Sequence, residues 1–410
     1  MMTSESTTAY AWIWLPNESE PVPAGRLDRD DTVLLFTYGR SYLERSNAIP
    51  LYLPELPLRR GPQTPLVGVV AGCIRDAAPD GWGQRVIENS FAGQGASELG
   101  LLTYLLHSGS NRIGALDFQS SPNHYTPRDQ STATYRELLD SAARVEAGVQ
   151  LSSELDRALL HGTSVGGARP KATLIDGDLQ LIAKFSSTTD TSPMVQIEYV
   201  GMELARRCGL NTAHVELIEV LGKQVLLVER FDRPGNGTRL AMVSALTVLG
   251  LDELGARYAS YADLADQIRA RFTNSAATLR ELFARITFNI LIGNTDDHAR
   301  NHAAFWNGHE LTLTRAYDVC PYPRSGGEAA QAMAIDRVGT RRAQVAVCVA
   351  SAEIYHLDET EAHDVIDEQI DTIRTNFREV SDLAKMTAVE RNRLWGTAIL
   401  NPYSTFDYQR

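Results

Sequence analysis

Cysteine is scarce in this chain: four residues in 410, at Cys73, Cys208, Cys320 and Cys348. They stand far apart and form no CxxC pair, so neither a disulfide framework nor a zinc site is expected, and buried free thiols are. Long hydrophobic runs are absent as well. No segment approaches the roughly 18 uninterrupted apolar residues that a membrane-spanning helix needs, so no membrane partner is expected. The stretch Met1–Tyr10 is polar and lacks a basic start leading into an apolar run, so no secretory signal is read and a cytoplasmic location is the expectation. Positive charge is in deficit, with 39 Lys and Arg against 51 Asp and Glu and a net charge of −12, which opposes any chain-wide attraction to nucleic acid. Arg337, Arg341 and Arg342 form a local basic cluster, read as a solvated face. There is no internal repeat and no long low-complexity tract, which excludes a solenoid.

What is present is an ordinary globular composition, 43% hydrophobic and 22% charged, in a chain long enough for two or three lobes at roughly 100–200 residues per domain. Residues 1–125 carry short apolar runs broken by Gly and Pro, among them Thr32–Tyr38 and Val67–Val70, which predict strands. Asp76–Phe91 reads as a helix, with Pro79 and Asp80 near its start. The polar stretch Gln119–Thr132 reads as a boundary loop. Two strands, Ala172–Ile175 and Leu179–Phe185, flank the hairpin signal Asp176-Gly177. Val195–Cys208 has helical spacing and stops at Gly209, and Lys223–Phe231 returns to strand. Beyond residue 241 the pattern turns helical, at Ser260–Thr273, Leu279–Ile292, Ser351–Ile373 and Val380–Leu400. The expectation is an α+β chain with a bilobal, protein-kinase-like fold: a β-rich N-terminal subdomain (1–125), an α+β lobe (126–240) and a mainly α-helical C-terminal lobe (241–410).

The most informative segment is Gly293-Asn294-Thr295-Asp296-Asp297-His298-Ala299-Arg300-Asn301. Protein kinases place a catalytic Asp and a magnesium-binding Asn five positions apart, and Asp296 with Asn301 reproduces that interval. One carboxylate orients a hydroxyl and takes its proton while an amide oxygen holds the metal that neutralises phosphate charge. A hairpin predicted across Asn307-Gly308 returns the chain, so that Asp318 in Tyr317-Asp318-Val319 can complete an oxygen-only site suited to Mg²⁺. Upstream, Gly166, Gly167, Ala168, Arg169, Pro170 and Lys171 follow Ser164-Val165 in a glycine-containing turn whose amides can wrap the phosphates of ATP. Lys184 is placed to pair with phosphates and Glu198 with Lys184. The bland readings are a helix cap for Asp296, a hydrogen-bonded core or loop histidine for His298 and a solvated side chain for Lys184. A rival chemistry makes Asp296, Asp297 and His298 the metal ligands of a hydrolase. The order of parts, from glycine-rich turn through strand Lys and helix Glu to Asp, Asn and Asp, favours the kinase.

With these residues in place the chain resembles the HipA family of toxin–antitoxin kinases. The resemblance rests on Ser164–Lys171, Val228-Glu229-Arg230-Phe231-Asp232-Arg233, Gly293–Asn301 and Tyr317-Asp318, with Asp76–Gly83 and Arg112–Leu116 similar to the family's N-terminal subdomain. It implies a serine/threonine kinase fold, protein substrates that include aminoacyl-tRNA synthetases, growth arrest, and a small helix-turn-helix antitoxin of the HipB kind that links the toxin to DNA. It also implies that Glu229 and Phe231 sit at the hinge contacting adenine, and that Ser164 matches the autophosphorylated serine. Where several relatives carry a His-Gln-Glu-Asp-like segment, this chain reads Arg239–Leu246, which puts the role of those polar residues in doubt. Two alternatives are a small-molecule phosphotransferase, against which stands Asn294 two positions before Asp296 where those enzymes have His, and a non-catalytic co-repressor that joins an antitoxin on operator DNA.

Overall fold

The computed structural model describes residues 7–91, 99–128, 135–147, 149, 166–177, 179–187 and 190–409. The chain divides into two compact units, one of residues 1–189, 218–243 and 305–309, the other of 190–217, 244–304 and 310–410.

The first unit opens on an antiparallel sheet in the order Val33–Tyr38, Val22–Asp30, Thr8–Ile13, Leu116–Gln119. Only the Val33–Tyr38 strand follows the expected assignment. The Val67–Val70 run is not a strand: Gly68 turns at φ +64, and Val69 contributes a single carbonyl to Leu34 N at 2.7 Å. The expected boundary loop begins one residue late, because Gln119 closes the edge strand Leu116–Gln119. The helix predicted from Asp76 starts at Gly81, where the Asp80 side chain accepts from Gly81 N at 2.7 Å. A separate short helix, Gly72–Arg75, precedes it, its first amides donating to the buried Glu55 carboxylate at 2.7 and 2.9 Å. Lys171–Asp176, Leu179–Phe185 and Lys223–Glu229 are neighbouring antiparallel strands, the first pair joined at Gly177 with φ +59 as the Asp-Gly signal requires. Their apolar face, Ala172, Ala183, Phe185, Val225 and Leu227, packs on Leu138 and Leu139 of the helix Tyr135–Glu146. Full burial of one such large side chain contributes about 1.5–3 kcal/mol.

The same unit holds two buried ion clusters. Asp117 accepts from Arg112 Nε and Arg128 Nη2, both at 2.7 Å. Asp232 accepts from Arg230 Nη2 at 2.7 Å, Arg233 Nη1 at 2.9 Å and Gly114 N at 2.8 Å, while Arg230 and Arg233 also donate to the Arg112 carbonyl. Thus the Val228–Arg233 motif bolts the strand end onto the segment 111–117. Burial pushes the Asp117 carboxyl up, but Arg112 and Arg128 outweigh it and hold it at about 2. For Asp232 the guanidinium charges of Arg230 and Arg233 likewise overcome burial and keep the carboxyl well below its usual range.

In the second unit the helix Ser275–Ile292 buries Leu282, Phe283, Ile286 and Ile290. It ends at Gly293 with φ +71, where a Cβ would lie 2.8 Å from Ala398 O, so only glycine fits the turn that releases the chain into the loop with Asp296. The helix Met194–Arg207 ends before Gly209, φ +78, as its sequence predicts. The late helices are cut differently from expectation. Glu359–Leu383 starts on a capping box of Asp358 and Glu361 after the left-handed His356, and Ala388–Leu394 starts anew on a second box, Thr387 with Glu390. Each box satisfies amides that the start of a new helix would otherwise leave open.

Replacing Asp117 by Asn leaves Arg112 buried without its counter-charge and is expected to cost about 3–5 kcal/mol in a urea melt at pH 7. Because the folded carboxyl titrates at about 2, below its ordinary value of 3.8, this stabilisation is fully present above pH 3.8 and is lost as pH falls toward 2. The difference between wild type and Asp117→Asn therefore shrinks over that window.

Candidate functional site

The loop after Gly293 is organised by Asp297. Its carboxylate is buried, and Oδ2 accepts from Tyr261 Oη at 2.6 Å and Asn289 Nδ2 at 2.8 Å and meets His302 Nε2 at 2.9 Å. Asn294 Nδ2 extends the lattice to Asn289 Oδ1 at 3.0 Å. Burial alone would raise the Asp297 carboxyl, but His302 and the Tyr261 hydroxyl outweigh it and hold it below the usual range. Burial, helped by the charge of Asp297, drives the Tyr261 phenol far up, so it remains a neutral donor. Backbone bonds fix the rest: Leu246 N to Ala299 O at 3.2 Å, Ala245 N to His302 O at 2.7 Å and Asn301 N to His298 O at 2.8 Å.

Held in this way, the loop turns Asp296 outward at its tip. Its carboxyl is pushed up by partial burial and then by the charges of Asp318 and Asp297, against an opposing pull from His298. Asn301 donates from Nδ2 to Asp296 O at 3.1 Å, which commits its nitrogen and leaves Oδ1 as an acceptor for a cation. Asp318 adopts φ +59, and the Tyr317 hydroxyl donates to Arg300 O at 2.6 Å. This segment approaches the helix Met194–Arg207 at Gly201, where a Cβ would lie 2.2 Å from Val319 O. An amide oxygen and a carboxylate are the donor types that a hard cation such as Mg²⁺ takes. Asp297 is already engaged by three partners, which counts against the hydrolase arrangement of Asp296, Asp297 and His298 as ligands. His298 Nδ1 is buried without a partner among the described residues.

In the first unit, Gly167 takes φ +106, Lys171 Nζ folds back to Gly166 O at 2.5 Å, and Phe185 N donates to Pro170 O at 3.0 Å. Ala168 and Arg169 lie within this turn, and Lys184 faces Lys171 in strand register. Glu229 ends the strand Lys223–Glu229, and Phe231 packs edge-on against Phe305 at 5.9 Å. Glu198 is buried on Met194–Arg207 in the second unit. Asp296, His298, Asn301, Tyr317 and Asp318 thus come together in one unit, and Gly166–Lys171, Lys184, Glu229 and Phe231 belong to the other. Ser164 lies outside the described residues. Sequence reasoning missed Asp297, Tyr261, Asn289 and His302 as the scaffold; a second acidic residue and a second histidine inside one loop were the available signal.

Two family models match most of the chain. Residues 163–377 match the model of the HipA-like C-terminal domain and residues 17–119 that of the HipA N-terminal domain. The chain belongs to the HipA family. It is 27% identical over 323 residues to Y4mE of Sinorhizobium fredii, covering 69% of this chain and 71% of that protein. It is 26% identical over 184 residues to the serine/threonine-protein kinase toxin HipA of Shewanella oneidensis, covering 38% of this chain and 42% of that toxin. Toxin YjjJ of Escherichia coli is 26% identical over 196 residues, 43% of each chain. Among solved structures, the Shewanella oneidensis HipA in complex with HipB and operator DNA superposes with a TM-score of 0.69 at 20% identity, over 93% of this chain and 97% of that one. That likeness shows the kinase-like fold of HipA. No helix among the described residues is long and apolar enough to cross a membrane.

Exchanging Asp297 for Asn puts an amide where three donors converge and is expected to destabilise the protein by about 3 kcal/mol. The neighbouring Asp296→Asn change, at an outward-facing and electrostatically strained position, is expected to cost nothing in the same urea melts.

Proposed function

We propose that this chain is a serine/threonine protein kinase toxin of the HipA type, transferring the γ-phosphate of ATP to a protein hydroxyl with Mg²⁺. The observation that carries this reading is the loop held by Asp297, which presents Asp296 and Asn301 and to which the segment of Asp318 is tied by the Tyr317 hydroxyl at Arg300 O. In this reading Asp296 orients the incoming hydroxyl and receives its proton, a task for which a carboxyl pushed above its usual range is better suited. Asn301 Oδ1 and the Asp318 carboxylate hold the metal, and the Tyr317 hydroxyl, tied to Arg300 O, fixes the approach of Asp318. Mg-ATP, when bound, would supply the transferable phosphoryl group, with the cation neutralising the negative charge spread over its oxygens. Lys184 pairs with phosphate oxygens, and the backbone amides of Gly166–Lys171 wrap the phosphates. Glu229 and Phe231 anchor adenine, and His298 tempers the Asp296 charge.

The same reading takes Ser164 as the autophosphorylated residue, since a doubly charged phosphate there opposes the phosphates of ATP. It takes a HipB-like helix-turn-helix protein as the antitoxin, through which the toxin meets DNA; the HipA of Shewanella oneidensis, which this chain matches over 93% of its length, was solved with HipB and operator DNA. A protein substrate of the aminoacyl-tRNA synthetase class and growth arrest complete it.

Asp296→Asn is expected to reduce phosphate transfer to cell proteins by about 10²–10⁴-fold while the circular dichroism spectrum is unchanged. Comparative phosphoproteomics of cells producing each form measures this, and equal labelling would remove the kinase reading. In the wild type incubated with Mg-ATP, mass spectrometry is expected to find phosphate on Ser164.

A further inference from the structure

The motif Asp80-Gly81-Trp82-Gly83, in the part of the chain that matches the HipA N-terminal domain, lies against the glycine-rich turn. Trp82 N donates to Gly167 O at 3.0 Å, Trp82 Nε1 donates to Lys171 O at 3.1 Å, and Arg85 Nη2 donates to Ala168 O. The approach is close: a Cβ on Gly81 would lie 3.5 Å from Ala168 Cα, and one on Gly166 would lie 4.0 Å from Asp80 Oδ2. Trp82 is fully buried with Val86, Ala142 and Val145, so its two donors are set by packing. Arg85 is exposed and lies over the Trp82 ring at 5.6 Å.

These contacts have a directional consequence. In a planar trans peptide the C=O and the next N–H point opposite ways. Carbonyls of Gly167 and Ala168 that are tied to the Gly81–Ser90 helix therefore turn the amides of Ala168 and Arg169 away from it. Untied, either peptide could flip and offer an oxygen to an anion, which repels it; tied, the turn offers N–H groups, which attract it.

We propose that Trp82 and Arg85 are positioning residues that set the peptide orientation of the glycine-rich turn and so the affinity for the phosphates of ATP. The inference rests on the kinase reading. It makes the N-terminal subdomain part of the nucleotide machinery, although neither residue touches nucleotide.

The test is calorimetric titration of the full chain with Mg-ATP and, separately, with adenosine, for wild type, Trp82→Phe, Arg85→Ala and Arg85→Lys. Trp82→Phe keeps the buried ring and the backbone bond from Trp82 N to Gly167 O, and loses the indole bond to Lys171 O that pins the far end of the turn; Arg85→Ala removes the bond to Ala168 O from an exposed side chain. Both are expected to weaken Mg-ATP by about 3- to 10-fold, the worth of one hydrogen bond, with adenosine affinity held within about twofold. Arg85→Lys is expected to recover most of the loss, and in kinase assays KM for ATP rises by a larger factor than kcat falls. Unchanged Mg-ATP affinity in both variants overturns the proposal, as does an equal loss for adenosine. A wild type that binds no Mg-ATP removes the kinase reading itself, whereas normal wild-type binding with indifferent variants removes only the brace.

Discussion

The arrangement of this molecule's candidate chemistry depends on one buried carboxylate. An isolated charge in a protein interior is expensive, and it is tolerated where donors replace the lost water. Asp297 meets that condition through Tyr261, Asn289 and His302, which come from two helices and the end of the loop itself. The result is a loop with few alternatives: moving it strands a charge. The backbone fixed at Asp297 leaves Asp296, its neighbour, exposed, with a carboxyl pushed up by partial burial and by the charge of Asp318. Strain at an outward-facing carboxylate is tolerable when the adjacent residue over-determines the backbone, and a divalent cation is the species that would relieve it.

A parallel logic governs the first unit. The Arg230, Asp232 and Arg233 cluster joins the end of the strand Lys223–Glu229 to the segment around Asn111 and Gly114, while Trp82 and Arg85 reach the glycine-rich turn. Both devices connect parts matched by different family domains, residues 17–119 and 163–377. The N-terminal region is therefore braced to the lobe with the glycine-rich turn by directional bonds, which hold register more tightly than apolar contact alone.

Local signals were the legible part of the sequence. Glycine at positions 177, 209, 293 and 308 takes the positive φ that its turn requires, so the hairpins and helix ends could be placed from chemistry within a few residues. The five-residue interval from Asp296 to Asn301 was likewise readable because both residues sit in one loop. What escaped was long-range. Thr8–Ile13 pairs with Leu116–Gln119 across a hundred residues of chain, and no local pattern marks such a partnership. Asp117 carries no local sign of its role, which Arg112 and Arg128 set. Asp297 is indistinguishable in type from Asp296; burial beside Tyr261, 36 positions upstream, separates their roles. Val67–Val70 had strand composition, but Gly68 at φ +64 turns the run beside the strand Val33–Tyr38.

The most direct test of the account is a crystal structure of the full chain with Mg²⁺ and a non-hydrolysable ATP analogue. Asn301 Oδ1 and an Asp318 oxygen are expected on the same ion at about 2.0–2.1 Å, with Asp297 still held by Tyr261, Asn289 and His302. An ion bound elsewhere, or Asn301 and Asp318 turned from it while the Asp297 lattice stays intact, would contradict it.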